Sequence, residues 1–206
     1  VVARLGCKII QGFKDAGTFP VGKHFPGHGD TLQDSHLTLP RVERNKESLE
    51  KIELVPFDQA FREGLDVIMT AHVVYPAWDE DSAATFSNYI LNDLLRKKMQ
   101  FQGLVMSDDL EMHAVTQTPE ELPALAINAG VDLFLICHDL DKVTRLQDAM
   151  IDGIETGKIP HETVDHSFNR IIKSKEKLTD DNEMDLEQIL EENKKLAEEM
   201  RSYLTE

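Results

Sequence analysis

The chain has 206 residues, 41% of them hydrophobic, and carries 22 basic against 38 acidic side chains for a formal net charge of −16, enough for one sizeable core and between one and two domains. A field of that sign repels phosphate backbones and anionic headgroups, which argues against nucleic acid and membrane partners, and no apolar run reaches the about 20 residues that span a bilayer. Two cysteines, Cys7 and Cys137, stand far apart without a spacing pattern and read as buried, reduced thiols of a cytoplasmic protein.

The chain opens on Val-Val-Ala-Arg-Leu-Gly-Cys-Lys-Ile-Ile-Gln-Gly-Phe, an amphipathic pattern with neither a cap nor an initiator Met ahead of it, so an N-terminal part is expected to precede it. Four units then follow one plan of helix, short connection, β-rich segment and polar cluster. Helix 2–15 leads to strand 20–24 and Lys23-His24; helix 47–62 leads to strand 65–70 and His72. Helix 87–99 leads to strand 104–107 and Asp108-Asp109; helix 120–129 leads to strand 131–136 and Cys137-His138. Runs such as Val67-Ile68-Met69 and Leu133-Phe134-Leu135-Ile136 predict strands covered on both faces, hence a parallel α/β sheet with crossover helices.

Beyond residue 140 the pattern is helical over 140–156, 161–177 and 183–204. The last helix aligns Leu186, Ile189, Leu190, Leu196, Met200, Tyr203 and Leu204, while residues 179–206 hold ten acids against three bases, the pattern of a packing helix with a solvated acidic face. Two regions result: 1–178, the repeating α/β units with the helices that follow, and 179–206, an acidic C-terminal helix packing on or extending from them. A complete barrel needs eight units and about 250 residues. Four units fit half of a TIM-type (β/α)8 barrel, and an open doubly wound sheet is the alternative.

In either architecture the site lies beyond the carboxyl ends of the strands, where every polar cluster falls. The densest is residues 23–36, Lys-His-Phe-Pro-Gly-His-Gly-Asp-Thr-Leu-Gln-Asp-Ser-His, which collects Lys23, His24, His28, Asp30, Asp34 and His36. Asp108 ends the run Gly-Leu-Val-Met-Ser-Asp-Asp-Leu, where an ionised carboxylate can attack an anomeric carbon; Asp109 reads as a loop-fixing or helix-capping neighbour. An imidazole titrating near neutrality can both give and take a proton, and in Asp34-Ser35-His36 the carboxylate can fix its tautomer.

Both strings together resemble glycoside hydrolase family 3, specifically its bacterial β-N-acetylglucosaminidases, in which Lys-His-Phe-Pro-Gly-His-Gly-Asp is followed by Asp-Ser-His and later by Ser-Asp-Asp-Leu. The resemblance implies that residues 1–178 are the C-terminal part of the catalytic barrel, with Asp108 as nucleophile, the Asp34–His36 dyad as acid/base, and Lys23, His24 and His72 lining the sugar pocket. It also implies a soluble β-N-acetylhexosaminidase of cell-wall (peptidoglycan) recycling that needs neither metal nor cofactor and takes a small carbohydrate substrate. Departures are mild: Ala83-Ala84-Thr85-Phe86-Ser87 replaces the usual Pro-Ala-Thr-Leu-Ser, and Glu111 and His113 stand where small or varied residues are common. The Asp and Arg by which the family grips the sugar from the first half of the barrel have no counterpart here.

Three rivals are open at this point. Lys23 could form a Schiff base, as in barrel aldolases; His24, His28, Asp30, Asp34 and His36 could ligate a metal in a metal-dependent hydrolase; and the chain could be an inactive, sugar-binding barrel fragment. His28 and Asp30 read as loop-shaping groups, and His113, His138, His161 and His166 as surface or helix-end residues.

Overall fold

The computed structural model describes residues 1–31, 39–178 and 186–203. The elements run α1 (Val2–Asp15), β1 (Val21–Phe25), α2 (Lys46–Ile52), α3 (Leu54–Arg62), β2 (Val67–Thr70), β3 (Val74–Tyr75), β4 (Asp79–Ala83), a π-wound helix (Tyr89–Lys98), β5 (Leu104–Asp109), α4 (Leu122–Ala129), β6 (Leu133–Leu135), α5 (Leu140–Glu155), α6 (His161–Lys175) and α7 (Leu186–Tyr203). Four strands form one sheet in the order β1-β2-β5-β6, every neighbouring pair parallel. Helix α1 lies against α3, and α4 against α5 and α6. The α/β reading and the four predicted units are all present.

Burial explains the arrangement. Phe25, Leu49, Ile68, Leu91, Leu95 and Val105 are fully buried between sheet and helices, and Phe25 meets Phe57 edge-on with ring centres 5.1 Å apart. Leu110, Leu122 and Leu146 form a second cluster under α4 and α5. Burial on both faces holds for β2; the outer strand β6 leaves Leu133, Phe134 and Leu135 half-buried, because one side of it has no strand partner among the described residues.

Three local differences have physical causes. The expected helix 47–62 is two helices meeting at Glu53: Pro56 has no N–H to donate, and its ring crowds the carbonyl four residues back, at Ile52 where α2 ends. The stretch expected as helix 87–99 winds with five-residue hydrogen bonds, Met99 N–H reaching the Leu94 carbonyl. The antiparallel pair β3–β4 was not anticipated, since its first strand is only two residues and follows β2 closely. The cysteines also differ from expectation: both are free thiols, but Cys7 is half-buried and Cys137 exposed. On α7, Leu190 and Leu196 are exposed.

The amino ends of the strands are tied by Asp132, whose carboxylate is wholly buried. It accepts from Arg96 Nη2 at 2.9 Å, Arg170 Nη2 at 2.7 Å, Ser167 Oγ at 2.7 Å and the Val105 N–H at 2.9 Å, joining β5, the π-wound helix and α6. Burial lowers the Arg96 pKa to about 10, with Asp132 opposing and Arg170 adding to that shift. Asp132→Ala strips two largely buried guanidinium groups of their counter-charge, and breaking such a pair costs about 3–5 kcal/mol. Denaturant unfolding should show that loss as a lowered midpoint; a loss under about 1 kcal/mol, the range of exposed pairs, would show that the cluster does not anchor the fold.

Candidate active site

Parallel strands gather their carboxyl ends at one rim, and the ladder is irregular there in two places. Between Gly22 and Phe25, β1 advances three residues while β2 advances two, from Ile68 to Thr70. Between Met106 and Asp109, β5 advances three while β6 advances two, from Leu133 to Leu135. The first bulge contains Lys23 and His24, the second Ser107 and Asp108; an extra residue re-aims its side chain out of strict alternation. Strands β1 and β5 are second neighbours, roughly 10 Å apart at the usual spacing. Their side chains nevertheless converge over β2, with His24 Nε2 3.5 Å from Asp108 Oδ2.

Asp108 is a fixed carboxylate. Its Oδ1 accepts the Asp109 N–H at 2.9 Å, leaving Oδ2 toward His24. The His24 pKa is held below the ordinary 6.5, first by burial, with Asp108 opposing and Lys23, His28 and His72 adding to the fall. A cavity of about 650 Å³ beside it is lined by Lys23, His24 and His28 on the polar side and by Ile9, Phe13 and Phe57 on the apolar side.

Under the rim lies a chain of buried hydrogen bonds. His72, 1% exposed, places Nε2 3.1 Å from the Asp109 carbonyl and Nδ1 2.8 Å from the Thr85 hydroxyl, which in turn lies 2.8 Å from the Thr70 hydroxyl. A carbonyl only accepts, so Nε2 carries the proton. The Thr85 hydroxyl has one proton and two acceptors in reach, Nδ1 of the neutral ring at 2.8 Å and the Ala71 carbonyl at 3.2 Å; with the proton on the shorter contact, Thr70 donates to Thr85. Burial, the largest influence on His72, lowers its pKa and favours the neutral form.

The loop after β1 is held from below. Phe25, Pro26 and Gly27 are buried; Ala71 N–H donates to the Phe25 carbonyl at 2.9 Å and Tyr75 Oη to the Gly27 carbonyl at 2.6 Å. Gly27 has φ 136°, and a Cβ there would stand 2.5 Å from Glu53 Oε2, so only glycine fits. Asp30 is paired with Arg44, whose hydrogen bond is the main reason its carboxyl titrates low. His28 Nδ1 lies 2.8 Å from the Thr31 hydroxyl. Both engagements are those of loop-shaping groups.

On the other flank, Asp109 Oδ1 accepts the Glu111 N–H at 3.0 Å, fixing a turn rather than capping a helix. Glu111 then reaches across to the end of β6. Its Oε2 accepts the N–H groups of Cys137 and His138, each at 2.7 Å, and its Oε1 that of Asp139 at 2.9 Å. Burial works to raise the Glu111 pKa, but these donors, His138 first, bring it below the ordinary value. Asp109, Glu111 and His138 each offer a ligand atom within 4.8 Å of the others. A cation there would compete with backbone donors for both Glu111 oxygens, so the carboxylate serves as a clamp between the β5 and β6 loops.

Of the residues singled out from sequence, Lys23, His24, His72 and Asp108 meet at one rim, His72 as its floor. Asp34 and His36 lie outside the described residues. Sequence reasoning passed over three supports: Tyr75, Thr85 and Glu111. Tyr75 and Thr85 are aromatic and hydroxyl residues in an apolar stretch, with nothing local to mark their partners. Glu111 was noticed as a charged departure, and its spacing two residues past Asp109 was the available signal.

The model of the glycosyl hydrolase family 3 N terminal domain matches residues 1–174. Beta-hexosaminidase A of Pseudoalteromonas piscicida is 34% identical over 198 residues, covering 86% of this chain and 33% of that protein. A beta-hexosaminidase of Haemophilus influenzae is 43% identical over 147 residues, covering 70% of this chain and 42% of that protein. Among solved structures, a glycoside hydrolase family 3 beta-N-acetylglucosaminidase from Paenibacillus sp. str. FPU-7 superposes with a TM-score of 0.85 at 39% identity, covering 89% of this chain and 36% of that one. The chain thus spans between a third and a half of the length of these relatives, and its fold is that of part of a TIM-type barrel.

Because burial holds His24 and His72 below 6.5, the folded protein binds fewer protons than the unfolded chain once the pH drops under that value. Stability is therefore full above about 6.5 and declines as the pH falls through it toward the folded-state values. Proton NMR titration should place both imidazole midpoints below 6.5, and His72→Gln should flatten the acid decline in unfolding free energy. A His72 midpoint at or above 6.5 would contradict the neutral-floor assignment.

Proposed function

The chain belongs to glycosyl hydrolase family 3, and on that premise we propose that it carries the catalytic strands of a retaining β-N-acetylhexosaminidase, which releases terminal β-linked N-acetylglucosamine. The observation that carries the proposal is Asp108, a carboxylate at the rim of a parallel sheet with one oxygen pinned by its own turn and the other 3.5 Å from His24. Asp108 attacks the anomeric carbon and forms a glycosyl-enzyme ester while the leaving oxygen takes a proton from His36, oriented by Asp34. Water then gives a proton to His36 and attacks the same carbon from the opposite face, which frees Asp108 and restores the original configuration. Lys23 and His24 face the sugar hydroxyls; His72 sets the height of the Asp108–Asp109 turn from beneath.

We assign the substrate to peptidoglycan (muropeptide) fragments met in the cytoplasm. Support comes from the bacterial relatives and from two thiols that are both free, as suits a reducing compartment. No helix among the described residues is long and apolar enough to cross a membrane. The metal-hydrolase rival loses ground because Asp30 is committed to Arg44 and His28 to Thr31.

In the intact protein, Asp108→Ala should abolish release of p-nitrophenol from its N-acetyl-β-glucosaminide with the fold retained, while Asp109→Ala, which loosens a turn, should be milder. Equal losses, or covalent labelling of Asp109 by a fluorosugar, would place the nucleophile elsewhere. Activity that disappears on incubation with EDTA would favour the metal reading.

The acid/base assignment has its own signature. His36→Ala should slow substrates with poor leaving groups by about 10²–10⁴-fold and activated aryl glycosides far less, with Asp34→Ala following the same pattern more weakly. Equal losses for good and poor leaving groups would make His36 a binding residue.

A further inference from the structure

At the amino ends of β2 and β5, opposite the catalytic rim, a cavity of about 780 Å³ opens between α3, the turn before β5 and α6. Its floor is apolar: Phe61 and Phe101 pack with ring centres 4.5 Å apart. Its α6 wall is cationic, contributed by Arg170, Lys173 and, just past the helix, Lys177. A second cavity of about 320 Å³ continues along α6 and shares Gln102, His166 and Arg170 with the first. Among the described residues, the lining cations Arg96, Arg170, Lys173 and Lys177 stand against Asp66 in the lining and the buried Asp132 behind it, an excess of two positive charges within a chain of net charge −16.

Those two carboxylates are already committed. Asp132 is wholly buried and held by two guanidinium groups, a hydroxyl and a backbone N–H, and Asp66 pairs with Lys177 at 2.7 Å. The exposed ammonium of Lys173 makes no ion pair among the described residues. Arg170 is fixed in direction by its two bonds to Asp132, at 3.0 and 2.7 Å, so part of the cationic wall is preorganised.

We propose that this cavity binds a phosphorylated organic metabolite, with its phosphate against Arg170, Lys173 and Lys177 and an apolar body against Phe61, which Phe101 backs from beneath. A phosphate monoester carries about −1.5 to −2 charges near neutrality, which matches the local excess, and arginine and lysine supply the charge-assisted donors that phosphate oxygens take. Among the described lining residues no nucleophile is hydrogen-bonded to a base, so the site is assigned binding alone. It shares no lining residue with the cavity beside His24 except Leu65, and the proposal stands independently of the glycosidase reading.

Phenyl phosphate, inorganic phosphate and phenol serve as probes, titrated into the isotopically labelled protein. Phenyl phosphate should shift the amide signals of residues 100–103 and 166–177 saturably, with a dissociation constant of about 1 mM or tighter, and should bind better than either inorganic phosphate or phenol. Lys173→Gln, at an exposed position, should weaken it about tenfold, the effect of one charge-assisted hydrogen bond. Asp66→Asn should strengthen it about threefold by releasing Lys177. Shifts that do not saturate or fall elsewhere, phenol binding as tightly as phenyl phosphate, or an affinity unchanged by Lys173→Gln would each overturn the proposal.

Discussion

The parallel ladder of β1, β2, β5 and β6 is the constraint on which everything else in this molecule rests. Because all four strands run one way, their carboxyl ends must share a rim, and residues separated by more than eighty positions, such as His24 and Asp108, become neighbours without any specific long-range pairing of their own. A regular ladder would still alternate side chains strictly between the two faces. The extra residue in β1 and the extra residue in β5 relax that alternation at the two segments that hold the candidate chemistry, while β2 between them keeps a regular register with β5. The middle strand is the fixed reference against which its neighbours deviate.

Electrostatics separates the two ends of that sheet. At the amino ends a buried carboxylate gathers cations and secures the frame; at the carboxyl ends a neutral imidazole does the securing. The difference has a reason in the chemistry above each. A cationic anchor beneath Asp108 would compete for the negative charge that the proposed nucleophile needs to keep free, whereas the neutral His72–Thr85–Thr70 chain fixes the turn through dipoles alone. Glu111 supplies the lateral tie, and its charge is absorbed by three backbone N–H groups instead of projecting into the rim.

Much of this could be read from the sequence, for identifiable reasons. Strands β2 and β5 open on unbroken apolar runs, Val67-Ile68-Met69 and Leu104-Val105-Met106, and helices α5 and α6 carry clear periodicity, so their residues announce themselves locally. The rim residues were found because proton-transfer groups cluster after those strands. What escaped was non-local or exceptional: the break at Glu53 follows from Pro56 acting on the preceding turn, the π winding of Tyr89–Lys98 has no compositional mark, and β3–β4 is too short for its pattern to register. Tyr75 is the instructive case. Its hydroxyl supports Gly27, 48 positions away, and only the tertiary fold reveals that an apolar-looking segment holds the loop with the densest chemistry.

The division of labour within a barrel follows from where these groups sit. An eight-stranded barrel closes by pairing its first and last strands, whereas here β1 and β6 each end the sheet, and Ile9, Phe13 and Val21 along the β1 side are exposed. On the proposed reading, that apolar flank is the side on which the rest of a sugar pocket's wall would be set. The proposed nucleophile and the proposed acid/base loop both belong to the strands present here, so the proposal concentrates bond-breaking in this portion of the barrel. The opposing wall would contribute grip and orientation: its alteration should raise KM and loosen alignment, while the identity of the groups that exchange protons and electrons with the anomeric carbon stays with β1, β5 and the loop between β1 and α2.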